Sequence, residues 1–171
     1  RAKMADRPET SVVTSYEWNG FKLLDTPGID APEAHERVSR EQLEKTDIIL
    51  FVLATDSGFE EKYVYQEIIK IVKSHRLMML IINNKNSYNE DEASYRAIYD
   101  KILVNLNKEG RESSLPSLAD NIQIHLVNAK SALKGKLENK KNLIKKSGIE
   151  EISISIEKFL HGSSTHQVAL I

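Results

Sequence analysis

The chain has 171 residues, enough for one domain with its own core, and its 40% hydrophobic and 29% charged residues are ordinary for a globular protein. A net charge of −1, from 24 basic and 25 acidic residues, gives no electrostatic basis for binding DNA or an anionic membrane. There is no cysteine, which excludes disulfides and thiolate chemistry and agrees with a cytoplasmic setting, and no apolar run nears the about 20 residues that span a bilayer.

Arg1 to Asp6 has neither an apolar core nor a cleavage signal, and it reads as the start of a fragment rather than of a natural protein. Ser11 to Trp18, rich in valine, threonine and aromatics, predicts a strand. Asn19-Gly20 is a tight-turn signal, and Phe21 to Leu24 reads as the returning strand of a hairpin. Asp25-Thr26-Pro27-Gly28 breaks the pattern with a loop. Pro32 to Lys45 reads as an exposed helix. Asp47 to Ala54 is a continuous apolar run, as in a strand covered on both faces. Glu60 to Ser74 carries Tyr63, Val64, Ile68, Ile71 and Val72 at helical spacing. Leu77 to Asn83 is a second buried strand.

In Asp91 to Lys108, Tyr95, Ile98, Tyr99, Ile102, Leu103 and Leu106 form one helical stripe. Glu109 to Asn121, with Gly110 and Pro116, reads as a loop. Ile122 to Val127 alternates as a strand does. Ser131 to Ser147 reads as a loop or a loose helix. Ile149 to Leu160 fits either periodicity, and its charges on the face opposite Ile149, Ile152, Ile156 and Leu160 favour the helix. Residues 1–160 form the domain, and the tail 161–171 is expected to fray or link onward.

Strands alternating with helices imply a three-layer α/β domain: a mainly parallel sheet, with one antiparallel hairpin strand and helices on both faces. Ligands of such sheets sit at the carboxyl ends of the strands. The loops to read are therefore those after Leu24, Ala54, Asn83 and Val127. In the first, Asp25 at a strand end has the chemistry to hold Mg2+, often through water, and Gly28 lets its backbone N–H approach a terminal phosphate. The other reading is an ordinary turn, since Asp, Pro and Gly are turn residues. The third loop is Asn83-Asn84-Lys85-Asn86-Ser87, and the fourth is Val127-Asn128-Ala129-Lys130-Ser131.

These loops, in this order, resemble those of the phosphate-binding-loop GTPases, over roughly Thr10 to Leu160. The stretches YEWNGFKLLDTPGID and TDIILFVLATDSGF look most like the bacterial dynamin-like and Era-like branches. The resemblance implies GTP/GDP and Mg2+ as ligands. Asp25, Thr26, Pro27 and Gly28 match the phosphate and metal loop. Asn84 and Lys85 match the first two positions of the guanine motif [N/T]-K-x-D, and Ser87 stands where the aspartate belongs. A serine hydroxyl cannot accept both guanine-edge bonds as a carboxylate fork does, so the departure bears on guanine over adenine selectivity. Asn128, Ala129 and Lys130 resemble the family's weaker third motif, whose alanine backbone N–H meets the guanine carbonyl. Thr10 is the choice for the switch threonine that reaches Mg2+ and the γ-phosphate, and Thr14 falls inside the strand.

The family's G-x-x-x-x-G-K-[ST] loop is not found: Gly135-Lys136 is followed by Leu137, and no other glycine precedes a lysine. The expected fold therefore lacks its first strand, phosphate-binding loop and first helix, leaving a gap in the sheet unless a strand comes from elsewhere. The chain alone is expected to bind GTP weakly and to hydrolyse it poorly. Ile29 follows Gly28 and cannot orient the attacking water, so slow turnover stimulated by self-association through the nucleotide face is expected. Membrane or ribosome contact is implied only by family analogy. The competing readings are a non-catalytic pseudo-GTPase interaction module and an ATP-using relative. His35, His75, His125, His161 and His166 lack metal-ligand spacing, and the basic stretch from Lys140 to Lys146 reads as a solvated loop.

Overall fold

The computed structural model describes residues 13–26, 46, 48–55, 58–74, 77–85, 92–162 and 169–170, the side chains of 92–95, 160–162 and 169–170 excepted. The helix expected over Pro32–Lys45 lies outside the described residues. In chain order the elements are β1 (Thr14–Trp18), β2 (Phe21–Asp25), β3 (Ile48–Ala54), α1 (Lys62–Lys73), β4 (Leu77–Asn83) and α2 (Glu92–Glu112). There follow a short 3₁₀ turn (Leu118–Asn121), β5 (Gln123–Val127), α3 (Ala129–Leu137), α4 (Lys141–Lys146), α5 (Ile149–Gly162) and β6 (Ala169–Leu170).

The hairpin forms as its turn chemistry requires. Asn19 and Gly20 both have positive φ, 49° and 81°, the left-handed pair that lets two twisted strands return on each other. β1 and β2 pair antiparallel from Thr14↔Asp25 to Trp18↔Phe21. The second sheet is parallel, in the order β5-β4-β3-β6. β3 and β4 pair over their full length, from Ile48↔Leu77 to Ala54↔Asn83. Continuous apolar strands tolerate this because both faces of the sheet are covered.

Two cores result, one on each face. Ile49, Phe51 and Leu53 of β3, with Met78, Leu80 and Ile82 of β4, pack against α1 and α2. The alternate residues Ile48, Leu50, Met79 and Ile81 pack against Ile152 and Ile156 of α5 and, from the hairpin, Trp18, Phe21 and Leu23. The period-2 alternation of the strands thus sorts side chains to opposite layers. The ambiguous Ile149–Leu160 segment is helical, because only the helical stripe of Ile149, Ile152, Ile156 and Phe159 meets the sheet.

Three local readings differ from expectation. In α1 the buried tyrosine is Tyr65, at 1% exposure, whereas Tyr63 faces outward. Tyr65 donates its hydroxyl hydrogen to the Phe59 carbonyl and accepts from Asn105 Nδ2 at 3.2 Å, which satisfies the polar end of a buried ring. The segment read as a loop from Glu109 continues α2 to Glu112. Gly110 is there for space rather than for a bend: a Cβ would stand 2.7 Å from the Leu115 carbonyl oxygen and 2.8 Å from Leu118 Cβ. The basic stretch after Ser131 forms two helices, α3 and α4, packed on each other.

The tail contributes β6. Ala169 and Leu170 pair in parallel with Ile49 and Leu50 of β3, and β6 lies beside β2.

Candidate functional site

The site follows from the register of the parallel strands. Ala54, Asn83 and Val127 are mutual neighbours across β3, β4 and β5, so the three strands end level. Thr55, Asn84 and Asn128 therefore lie on one rim. Backbone bonds draw the loops together. Asn84 donates its N–H to the Val127 carbonyl at 2.7 Å, and Thr55 donates to the Asn83 carbonyl at 3.1 Å. Asn84 is 9% exposed, and its Oδ1 accepts from the buried Thr55 hydroxyl at 3.5 Å.

The loop after β5 is held just as closely. Asn128 is the N-cap of α3: its Oδ1 accepts from Ser131 N–H at 2.8 Å. Its own N–H donates to the Ser147 carbonyl at 2.8 Å, which ties the loop to the end of α4. Ala129 N–H donates to Asn83 Oδ1 at 3.2 Å. That bond is notable because the GTPase resemblance assigns this same N–H to the guanine carbonyl. Asn83 is a residue the motif reading passed over. The signal available was a carboxamide immediately before Asn84-Lys85, able to reach a neighbouring loop from a strand end. Lys85 and Lys130 are exposed at the rim.

Of the expected site residues, the structure thus brings Asn84 and Lys85 together with Asn128, Ala129 and Lys130. Thr10, Pro27, Gly28 and Ser87 lie outside the described residues. Asp25 and Thr26 stand at the end of β2, in the hairpin. Burial pushes the Asp25 carboxyl above the ordinary carboxylate range. Thr26 is 6% exposed, and its Oγ1 has no hydrogen-bond partner among the described residues. No hydrogen bond among the described residues joins this pair to the rim around Asn84. An orphaned buried hydroxyl beside a desolvated carboxyl is chemistry that a hydrated divalent cation satisfies, so this donor set fits Mg2+. Among the described residues no group of three His, Asp or Glu side chains is placed to hold a metal by itself. No described helix is long and apolar enough to cross a membrane.

Comparison with known proteins bears on this arrangement. Residues 2–86 match the family model of the Dynamin family. That span contains the hairpin, the Asp25-Thr26-Pro27-Gly28 loop and Asn84-Lys85. An uncharacterized protein in the xynA 3′ region of Caldicellulosiruptor sp. (strain Rt8B.4) is 27% identical over 140 residues, which cover 81% of this chain and 32% of that protein. The chain thus spans about a third of the length of the curated relative it matches. Dynamin-family GTPases use GTP and Mg2+, and the mixed α/β architecture of a parallel sheet beside an antiparallel hairpin agrees with a partial GTPase domain. The matched residues and the fold together support a dynamin-like GTPase fragment.

Proposed function

We propose that the chain is part of a dynamin-like GTPase that binds and hydrolyses GTP with Mg2+, the phosphate-binding loop being supplied from outside this chain. The observation that carries the reading is the rim where Asn84-Lys85 and Asn128-Ala129-Lys130 are pinned together at level strand ends. In this reading Asn84, Lys85, Asn128, Ala129 and Lys130 hold the base, with Ser87 beside them. Asp25 and Thr10 hold Mg2+, and Thr26, Pro27 and Gly28 face the phosphates. Base entry requires Asn83 Oδ1 to release Ala129 N–H, a swap of one acceptor for another at small net cost. Bound nucleotide supplies the scissile phosphoanhydride. The residues of this chain orient the base and hold the metal, and a partner copy at the nucleotide face assists turnover.

The test is binding of fluorescent GTP, GDP and ATP, with Mg2+, to this chain and to a version extended upstream by a strand and helix carrying G-x-x-x-x-G-K-[ST]. Saturable GTP binding by the extended version, at least tenfold tighter than by the chain alone, is the expected result. Ser87→Asp in that version is expected to widen the preference for GTP over ATP. Binding by neither version turns the reading into a non-catalytic interaction module. Equal GTP and ATP binding, unmoved by Ser87→Asp, would remove guanine from the proposal.

A further inference from the structure

The turn of the hairpin brings a reactive dipeptide against a distant carboxylate. Asn19-Gly20 is the chain's single Asn-Gly pair, and both residues are exposed, at φ 49° and 81°. Gly20 has no side chain, and nothing beyond its chain neighbours lies within 4 Å of the place a Cβ would take, so little hinders approach to its backbone nitrogen. The Asn19 carboxamide is the hairpin's polar tie to α5. Its Nδ2 donates to Glu157 Oε1 at 2.7 Å, between residues 138 positions apart. This charge-assisted bond fastens the turn to the helix, next to the apolar cluster that Trp18 and Phe21 share with Ile156 and Phe159. The group that makes the tie is the group that an Asn-Gly pair can lose.

We propose that Asn19-Gly20 is a deamidation site, and that its conversion turns the hairpin's attraction for α5 into repulsion. The Gly20 backbone nitrogen attacks Asn19 Cγ. The new N–Cγ bond closes a succinimide ring, the Cγ–Nδ2 bond breaks, and the amide nitrogen leaves as ammonia with the proton of the Gly20 N–H. Water then opens the ring. Attack at Cγ leaves an aspartate, and attack at the main-chain carbonyl carbon leaves an isoaspartate, whose chain runs on through Cγ. One water is consumed and one ammonia released, with no oxidant or reductant. An aspartate sets a carboxylate against Glu157 where the donor stood, and an isoaspartate also lengthens the main chain of a two-residue turn. Like charges in that contact repel, and Glu157 is half-buried, which weakens screening by salt. The hairpin ladder runs from Trp18↔Phe21 to Thr14↔Asp25, so the change acts on the strand that ends in Asp25. It is independent of the nucleotide that the rim takes.

The test ages the folded chain in mildly alkaline buffer and follows it by peptide mapping. The tryptic peptide ending at Lys22 should gain the mass of OH in place of NH2 before any other asparagine peptide does. Trp18 is the only tryptophan, so its quenching by acrylamide reports on the turn, and quenching should rise in step with conversion. In urea titrations Asn19→Asp should raise the unfolded-to-folded ratio about fivefold. In the Glu157→Gln background the same change should raise it by less than about twofold, because the glutamine amide can donate to the new carboxylate. The aged parent keeps the test decisive even if Asn19→Asp fails to fold. Conversion at position 19 no faster than at other asparagines, or Trp18 quenching unmoved by conversion, would each overturn the proposal. An equal cost of Asn19→Asp in both backgrounds would overturn it too, because the cost would then belong to the turn and not to Glu157.

Discussion

The rim around Asn84 and the end of β2 are both polar strand ends, and they are built on opposite terms. At the rim, the polar atoms named above are engaged within the chain: Asn83 Oδ1 with Ala129 N–H, Asn128 Oδ1 with Ser131 N–H, Asn84 N–H with the Val127 carbonyl. At the end of β2, Thr26 Oγ1 is buried without a partner among the described residues, and the Asp25 carboxyl is desolvated. Burying a polar group without a hydrogen bond costs stability, whereas the engaged rim roughly recovers what desolvation takes. The rim is thus engaged within the chain, whereas at the end of β2 a buried hydroxyl has no partner among the described residues.

Breaking the rim from beneath should produce the largest effect. Gly148, at φ 75°, follows α4, and a Cβ there would stand 2.2 Å from the Leu126 carbonyl oxygen. Backbone cannot yield as a flexible side chain can. Gly148→Ala combines left-handed strain with overpacking, each on the order of 1–3 kcal/mol, and should cost about 3 kcal/mol or more. Urea unfolding monitored at Trp18 measures it. A loss under about 1 kcal/mol would mean that the rim is not rigidly seated on β5.

The same contrast explains what the amino-acid sequence made legible. Leu77 to Asn83 was read to the residue because a continuous run of buried aliphatics has one architectural use in an alternating chain. Asn84, Asn128 and Ala129 stand out in the sequence because their loops follow such strands directly, and the structure places them on one rim. Asn83 was missed because its role depends on a hydrogen bond to a residue 46 positions away, which no local pattern encodes. The segment after Ser131 stood open between a loop and a loose helix, although the helix start is written in the chain: Asn128 is a good N-cap, and Ser131 stands three residues on. Gly110 misled because a glycine chosen for close packing and a glycine chosen for a turn look alike until the neighbouring chain is in place. β6 was not foreseen. Two residues carry no periodicity from which their pairing with β3 could be read.

At the end of β2 a substitution should act in the opposite direction. Thr26→Val removes a buried hydroxyl that has no partner among the described residues and keeps the branched shape. It should stabilise the chain by about 1 kcal/mol, the low end of the desolvation cost of such a group. The matching change at the rim, Asn128→Ala, should destabilise by about the same amount through loss of the α3 cap. Opposite signs from the two variants, measured by the same urea titration, sharpen the contrast. The same sign from both would erase it.

The smallest effect, and the most telling, is the pH dependence at Asp25. Its carboxyl is raised by burial above the ordinary value of 3.8, so the folded state holds the proton more tightly than the unfolded chain does. Stability from this group is fully present below about pH 4 and is lost as pH rises through the folded value, because ionisation then occurs in a partly desolvated place. Asp25→Asn removes that loss. The variant and the parent should unfold at the same urea concentration near pH 3, and the variant should be the more stable at pH 7. Their separation should open only above about pH 4. Added Mg2+ should narrow the gap by stabilising the parent alone, because a bound cation favours the ionised carboxylate and the amide has no charge to offer it. Were Asp25→Asn instead less stable than the parent at pH 7 without Mg2+, the carboxylate would already have a favourable partner within the chain. The end of β2 would then be as complete as the rim, and the case for a cation there would fall.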